Sequence, residues 1–107
     1  MNADAALFAR ETEAETLAEL GAVFRAVDLP GIEMRVPRAL ADRAVLAWER
    51  DDVDELGPET AEEREIRHRA GMLALIGLTI TERGRVDGDD VVVTLPVEFI
   101  GGAIVVA

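Results

Sequence analysis

His68 is the only histidine of this sequence, and it lies between Arg67 and Arg69. Imidazole exchanges protons near neutral pH and binds transition metals, so Arg67 and His68 are candidate catalytic or ligand-binding residues. With nearby carboxylates, they would define a small enzyme or ligand-binding domain, whose site would be an apolar pocket lined by Met72, Leu75 and Trp48. The alternative is a structural or exposed histidine, which we favour because two flanking guanidinium groups repel a bound cation.

The other side chains offer little further chemistry. The sequence contains no lysine, serine, cysteine, tyrosine or glutamine, and all 11 of its basic residues are arginine. This composition excludes the common nucleophiles, a lysine Schiff base and thiolate metal ligands. A transition-metal site would depend on carboxylates alone. We therefore predict no metal and no cofactor, and we favour a protein without catalytic activity over an enzyme.

An acidic run follows the only tryptophan, Trp48. Asp51, Asp52, Asp54 and Glu55 lie within a stretch of five residues. Carboxylates at this density attract guanidinium groups, so Trp48 and these four residues are the candidate binding surface for a basic protein partner. The alternative is that the run is a solvated connector and that Trp48 packs in the core as part of a helical face.

A second acidic segment, Asp87-Gly88-Asp89, has the spacing that begins a calcium-binding loop. That loop needs another oxygen ligand two residues after Asp89 and a glycine directly after it, where this sequence has Val91 and Val92. We therefore predict a polar, hairpin-like turn and no metal site in this segment.

Length, charge and hydropathy limit the class of protein. The chain of 107 residues suffices for one domain, and half of its residues are apolar, so it should fold. Its formal net charge of −11 makes nucleic acid an unlikely partner and favours basic ones. The longest apolar stretch, residues 72–80, is about half the ~20 residues of a membrane span. We expect no signal peptide, no membrane contact and, given the absence of cysteine, a cytoplasmic protein.

Hydrophobic periodicity predicts a mostly helical α+β protein that forms a single domain over residues 1–107. Apolar residues recur at helical spacing in four segments, and two segments have the composition or alternation of strands. The predicted order is α-β-α-α-β-α, with helices near 5–27, 37–50, 61–83 and 97–107 and strands at 32–36 and 91–95. Two strands alone form a marginal sheet, so we expect helices to cover it or a second copy to extend it.

Two threonines, Thr12 and Thr60, each precede a glutamate by three residues, which is the capping-box pattern of a helix start. The first predicts that a helix begins or restarts at Thr12, and the second predicts the start of the longest helix. Within that helix, Glu63 precedes Arg67 and Glu65 precedes Arg69 by four positions, so we also predict an ion pair in each case.

The run IEMRVPRALADRAVLAWER contains a predicted strand and helix, and a second predicted helix follows it. This strand–helix–helix order resembles that of ribbon-helix-helix proteins. The resemblance covers about half of the chain. In that family, strands from two copies pair into a ribbon that enters the DNA major groove. The resemblance therefore implies a dimeric regulator. In it, Ile32, Met34 and Val36 would be buried in the core, and Glu33 and Arg35 would face the DNA.

The composition as a whole resembles small uncharacterised acidic proteins of GC-rich bacteria, a likeness that implies no activity. Together, these observations favour a bacterial protein-interaction or regulatory module. We expect it to form a homo-oligomer, such as a homodimer, because short strands and the apolar segment 99–107 leave apolar area to be covered.

Overall fold

A computed structural model describes residues 3–25, 33–50 and 59–107 of the chain. Within these ranges the fold is mostly helical with one small sheet, which confirms the predicted α+β class. The elements are α1 (Ala3–Arg25), β1 (Glu33–Pro37), α2 (Arg38–Glu49), α3 (Ala61–Arg83), β2 (Arg85–Asp87), β3 (Asp90–Thr94) and α4 (Val97–Val106).

The sheet has three strands, where two were predicted, and the order α-β-α-α-β-α is therefore wrong by one strand. All pairings are antiparallel, and the spatial order is β1-β3-β2. The strand that was missed, β2, contains only three residues, and all three are exposed. A strand this short with no buried side chain carries no alternation of apolar and polar residues, which is the signal that sequence analysis uses.

The hairpin between β2 and β3 confirms the predicted polar turn. Asp87 pairs with Asp90, and the two residues between them form the loop. Gly88 has a φ of 67°, in the left-handed region that glycine adopts without a steric penalty. A positive φ at the first loop residue and not at the second matches a type II′ turn, whose twist suits a hairpin. The backbone amide of Arg38 also donates to the carbonyl of Asp89, at 2.9 Å.

The alternation predicted for β1 is present. Met34 and Val36 are buried, whereas Glu33 and Arg35 are exposed. The strand pairs with β3 of the same chain, from Glu33 opposite Thr94 to Pro37 opposite Asp90. Among the described residues, β1 therefore lies at an edge of the sheet with a single neighbouring strand.

Ion pairs cover the outer face of the sheet around Val92. Both Arg35 and Arg85 are paired with Val92 in the strand register, so their side chains flank it. Arg35 forms an ion pair with Asp87 across the sheet. Arg85 Nη2 lies 3.4 Å from Glu33 Oε1. The aliphatic stems of arginine can shield apolar surface while their charged ends remain in water, and Val92 is buried accordingly.

The core lies between the inner face of the sheet and the helices. Helix α3 passes through it, and its second half buries Leu73, Ile76 and Ile80, while Leu75 is exposed. Helix α4 buries Ile100 and Ala103 against the same cluster. The largest fully buried side chains are Phe24, Leu17, Leu20, Met34, Leu73, Ile76, Leu95, Val36 and Val93.

The two capping-box matches have different outcomes. Thr60 is the N-cap of α3, and its hydroxyl accepts a hydrogen bond from the backbone amide of Glu63 at 3.1 Å, as predicted. Thr12 lies inside α1, and its hydroxyl donates to the carbonyl of Phe8 one turn earlier. The helix does not begin or restart at Thr12, because the residues before it are already helical.

Two glycines allow helices to approach each other closely. An added Cβ on Gly77 of α3 would lie 1.9 Å from the carbonyl oxygen of Ala44 in α2. An added Cβ on Gly21 of α1 would lie 2.0 Å from the carbonyl oxygen of Ala103 in α4. Both distances are far below van der Waals contact, so any side chain at either position must push two helix backbones apart.

We predict opposite effects for two glycine-to-alanine substitutions in α3. Gly77→Ala should lower the free energy of unfolding by about 1–3 kcal/mol, because the methyl group overpacks the contact with α2. Gly71→Ala should raise it by about 0.5–1 kcal/mol, because the site is open and alanine is the better helix former. Urea denaturation followed by circular dichroism measures both. Equal effects of the two substitutions would contradict the close contact.

Candidate functional site

Three helices meet around a pocket of about 270 Å³ that includes Trp48 and Arg67, two residues of the ligand site predicted from the sequence. Met72 and Leu75, which were predicted to line that site with Trp48, are not in its lining. Among the described residues, the lining is Arg10 and Glu13 from α1, Ala47, Trp48 and Arg50 from α2 and its C-cap, and Arg67, Ala70, Gly71 and Ala74 from α3.

The helical repeat explains how each element contributes to the pocket. Arg10 and Glu13 are three residues apart in α1, so they lie on the same face. In α3, Arg67, Gly71 and Ala74 follow one another at spacings of four and three residues. The α3 face beyond Arg67 carries only small residues, which leaves an open space beside the α2 indole.

Among the described residues, three guanidinium groups and one carboxylate line the pocket. Arg50 Nη1 lies 3.1 Å from Glu13 Oε1, with side-chain exposures of 22% and 13%. Arg67 Nε donates to both oxygens of Glu59, at 3.1 and 3.0 Å. Arg10, which is buried, is the third arginine of the lining.

Trp48 is 44% exposed, so the alternative that placed it in the core is wrong. The buried face of α2 consists of Ala41, Ala44 and Ala47, at spacings of three residues. Trp48 lies one position beyond Ala47, about 100° further around the helix. Burial was predicted for Trp48 because it is large and apolar. The close contact between α2 and α3 instead buries the small alanine residues of α2.

A second, more apolar groove of about 380 Å³ adjoins the pocket. The two share Glu13, Ala47 and Arg50. At the far end, Phe8 and Leu46 are 70% and 63% exposed, which is high for large apolar side chains. Sequence analysis did not identify this groove. Phe8 and Leu46 fit helical apolar patterns, and only the crossing of α1 and α2 shows that they lie outside the core.

A third groove, of about 460 Å³, separates α1 from the first turns of α3 and is acidic. Glu11 and Glu15 line it from α1, and Glu62 and Glu65 line it from α3. Its remaining lining residues are Ala14, Ala18, Ile66 and Arg69. This groove shares no residue with the two described above.

The other sequence candidates have separate outcomes. His68 is exposed and lines none of these three sites, so the structure does not bring it together with Arg67. The predicted ion pair between Glu65 and Arg69 is present at 3.3 Å. Arg67, which was predicted to pair with Glu63, instead bonds Glu59, and the Glu63 carboxylate accepts a hydrogen bond from the Thr60 hydroxyl. Asp51, Asp52, Asp54 and Glu55 lie outside the described residues, and their role stays a prediction.

Two features are absent from the described ranges. Among residues 3–25, 33–50 and 59–107, no three histidine, aspartate or glutamate side chains are grouped closely enough to hold a metal ion. In the same part of the chain, no helix combines the length and the hydropathy that are needed to cross a membrane.

Comparisons with known proteins return no match: no family model, no curated protein and no solved structure is similar to this chain.

We predict that the ion pair beside the pocket contributes more to stability than a second ion pair between the same two helices. Removing Glu13 leaves a largely buried Arg50 without this carboxylate, so Glu13→Ala should cost about 1–3 kcal/mol of unfolding free energy. Glu19→Ala is the matched control, because its partner Arg43 is 54% exposed and Glu19 itself is 55% exposed. Glu19→Ala should lower the free energy of unfolding by less than about 0.5 kcal/mol. Thermal or urea unfolding distinguishes the two, and equal losses would contradict the prediction.

Proposed function

We propose that this protein is a non-catalytic interaction module that binds a basic segment of a partner protein in the acidic groove between α1 and α3. The observation that carries the proposal is the composition of the groove. Four glutamates and one arginine surround a floor of Ala14, Ala18 and Ile66. An extended arginine- or lysine-rich segment matches both features, because its charged ends pair with carboxylates and its aliphatic stems cover apolar surface.

The helices hold the carboxylates in two facing rows. Glu11 and Glu15 are four residues apart in α1, and Glu62 and Glu65 are three residues apart in α3. Each pair therefore lies on one helix face, along one wall of the groove. Because Arg69 is already paired with Glu65, the groove retains a negative excess for a basic ligand.

The net charge of −11 supports the same type of partner. A strongly negative surface accelerates encounters with positively charged molecules and slows encounters with nucleic acid, and both effects weaken with salt. A regulatory or inhibitory role, in which this module covers a basic surface of its partner, follows from such binding. The cysteine-free composition supports a role in the reducing cytoplasm, as part of the same proposal, because the fold needs no disulfide.

We predict that an arginine-rich peptide binds the groove with an affinity that falls as salt rises. The triple variant Glu11→Gln/Glu15→Gln/Glu62→Gln should weaken binding at least about tenfold, since each exposed pair contributes up to about 1 kcal/mol. Fluorescence anisotropy of a labelled peptide at several salt concentrations measures the affinity, with a glutamate-rich peptide as the negative ligand.

The matched control separates the groove from the overall charge. Glu82→Gln/Glu98→Gln/Asp42→Gln changes the net charge by the same amount at three exposed positions that do not line the groove. If the two triple variants bind the peptide equally, the effect belongs to net charge and the groove proposal fails.

We further propose that the chain self-associates through β1. This strand has one neighbour among the described residues, and its other edge presents backbone groups that a second copy can pair with. The segment 99–107, which first suggested self-association, is largely used within the chain. Phe99, Ile104 and Val106 pack on the core, while Val105 is 82% exposed.

Light scattering coupled to size-exclusion chromatography should give a mass of twice 11.6 kDa. Glu33→Pro should reduce it towards the monomer mass by removing a backbone donor from the edge strand, whereas Glu98→Pro in the first turn of α4 should not. A mass of 11.6 kDa across a concentration series would rule out self-association.

A further inference from the structure

We propose that the open edge of β1 recognises a second copy of this chain in a single register, with Glu33 of each copy opposite Arg35 of the other and a two-fold axis at Met34. The inference rests on the proposed self-association through β1, and it adds the residues that select the partner. Three properties of the edge carry it: the direction of its backbone groups, the position of Pro37 and the alternation of charge.

The pairing with β3 shows which backbone groups of β1 point to the open edge. The amide of Arg38 donates to the carbonyl of Asp89, its opposite residue when the β1–β3 register is continued, at 2.9 Å. Opposite residues in an antiparallel pair alternate between hydrogen-bonded and non-hydrogen-bonded pairs. Met34 and Val36 therefore bond β3, and the odd-numbered residues of β1 direct their backbone groups away from it.

Pro37 limits how a second copy can pair with this edge. Side chains alternate between the two faces of a strand, so the buried faces of both copies stay on one side only when the axis passes through a residue. An axis at Arg35 or Val36 places Pro37 in a hydrogen-bonded pair, where it has no amide hydrogen to donate. An axis at Met34 instead pairs Glu33 with Arg35, and the amides and carbonyls of both find partners.

Charge selects the same register. Glu33 and Arg35 lie on the outer face of the sheet, with side-chain exposures of 51% and 55%. An axis at Met34 places opposite charges across the new edge at both positions, whereas an axis at Glu33 or at Arg35 places like charges opposite each other. Because each copy has a net charge of −11, only a locally attractive contact of this kind offsets the repulsion between copies.

The other edge of the described sheet, β2, offers no comparable surface. The β3 residues that do not bond β1, Asp90 and Val92, lie opposite Asp87 and Arg85. These two pairs are therefore the hydrogen-bonded ones, and Val86 alone directs its backbone groups outward. One residue is too short for a ladder, so pairing between β1 and the β2 edge of another copy does not compete. The contact between two β1 edges is closed and gives a dimer.

Charge reversal at the edge tests the register. Glu33→Arg places like charges opposite each other at both positions of the dimer, so it should raise the dimer dissociation constant at least about tenfold, equivalent to 1.4 kcal/mol. Arg35→Glu should have the same effect. An equal mixture of the two variants should dimerise about as tightly as the unmodified chain, because each position again meets the opposite charge. Sedimentation velocity over a concentration series measures all four samples.

Arg85→Glu is the matched control for charge reversal. It breaks the same intrachain contact as Glu33→Arg, but it lies on β2, away from the edge, so its dimer dissociation constant should equal that of the unmodified chain. Unchanged dimerisation of Glu33→Arg, or no recovery in the mixture, would overturn the register and leave self-association standing. A monomeric unmodified chain would overturn both proposals.

Disulfide cross-linking provides a second test at exposed positions, in a chain without cysteine. Opposite residues of a hydrogen-bonded antiparallel pair have Cα atoms about 5.5 Å apart, which suits a disulfide. Oxidation of mixed Glu33→Cys and Arg35→Cys chains should therefore give a cross-linked dimer on a non-reducing gel. Neither variant should cross-link alone, because its own cysteines lie diagonally, about 7–8 Å apart. Cross-linking of Arg35→Cys alone, or none in the mixture, would overturn the register.

Discussion

The contact between α2 and α3 at Gly77 is the constraint on which the rest of the structure depends. The helix backbones approach so closely there that an added Cβ would lie 1.9 Å from the carbonyl oxygen of Ala44. A contact of this kind requires small residues on both helices, and α2 supplies a face of three alanines. The larger side chains of α2 are thereby displaced to its flanks, where Leu46 and Trp48 are exposed beside the two cavities.

The same helix, α3, contributes to two surfaces of different composition. Glu62 and Glu65 line the acidic groove with α1, whereas Arg67 lines the pocket between α1, α2 and α3. The two surfaces share no lining residue, although only two positions separate Glu65 from Arg67. A helix rotates by about 100° per residue, so neighbouring positions can serve different sites. Net charge alone therefore describes this protein poorly, since three of its 11 arginines line one pocket.

The sequence predicted the elements better than the site, for physical reasons that particular residues illustrate. The long helix was predicted over residues 61–83, and the structure has it at Ala61–Arg83, because the Thr60 cap and the arginine at its end are local signals. The alternation in β1 was also local, and it correctly separated buried Met34 from exposed Arg35. Strand β2 was missed because a three-residue exposed strand exists only through its pairing with β3.

The pockets depend on contacts between residues that are distant in the sequence. Arg10 and Arg67 line one cavity although 57 positions separate them, and no local pattern reports that proximity. One of the two interpretations of Trp48 wrongly placed its indole in the core, because it inferred burial from side-chain size. Which residues of α2 are buried depends instead on the close approach of the α2 and α3 backbones. The carboxylates from Asp51 to Glu55 were identified by local density alone, and they lie outside the described residues.

The approach of α1 to α4 at Gly21 has a consequence for how the protein is made. Helix α1 contains some of the largest buried side chains, Leu17, Leu20 and Phe24, and one of its faces is covered by α4. Because 82 positions separate Gly21 from Ala103, α1 leaves the ribosome long before its covering helix does. During translation that face of α1 must therefore remain in water or on a chaperone until α4 has emerged, even after α2 and α3 have covered the other faces.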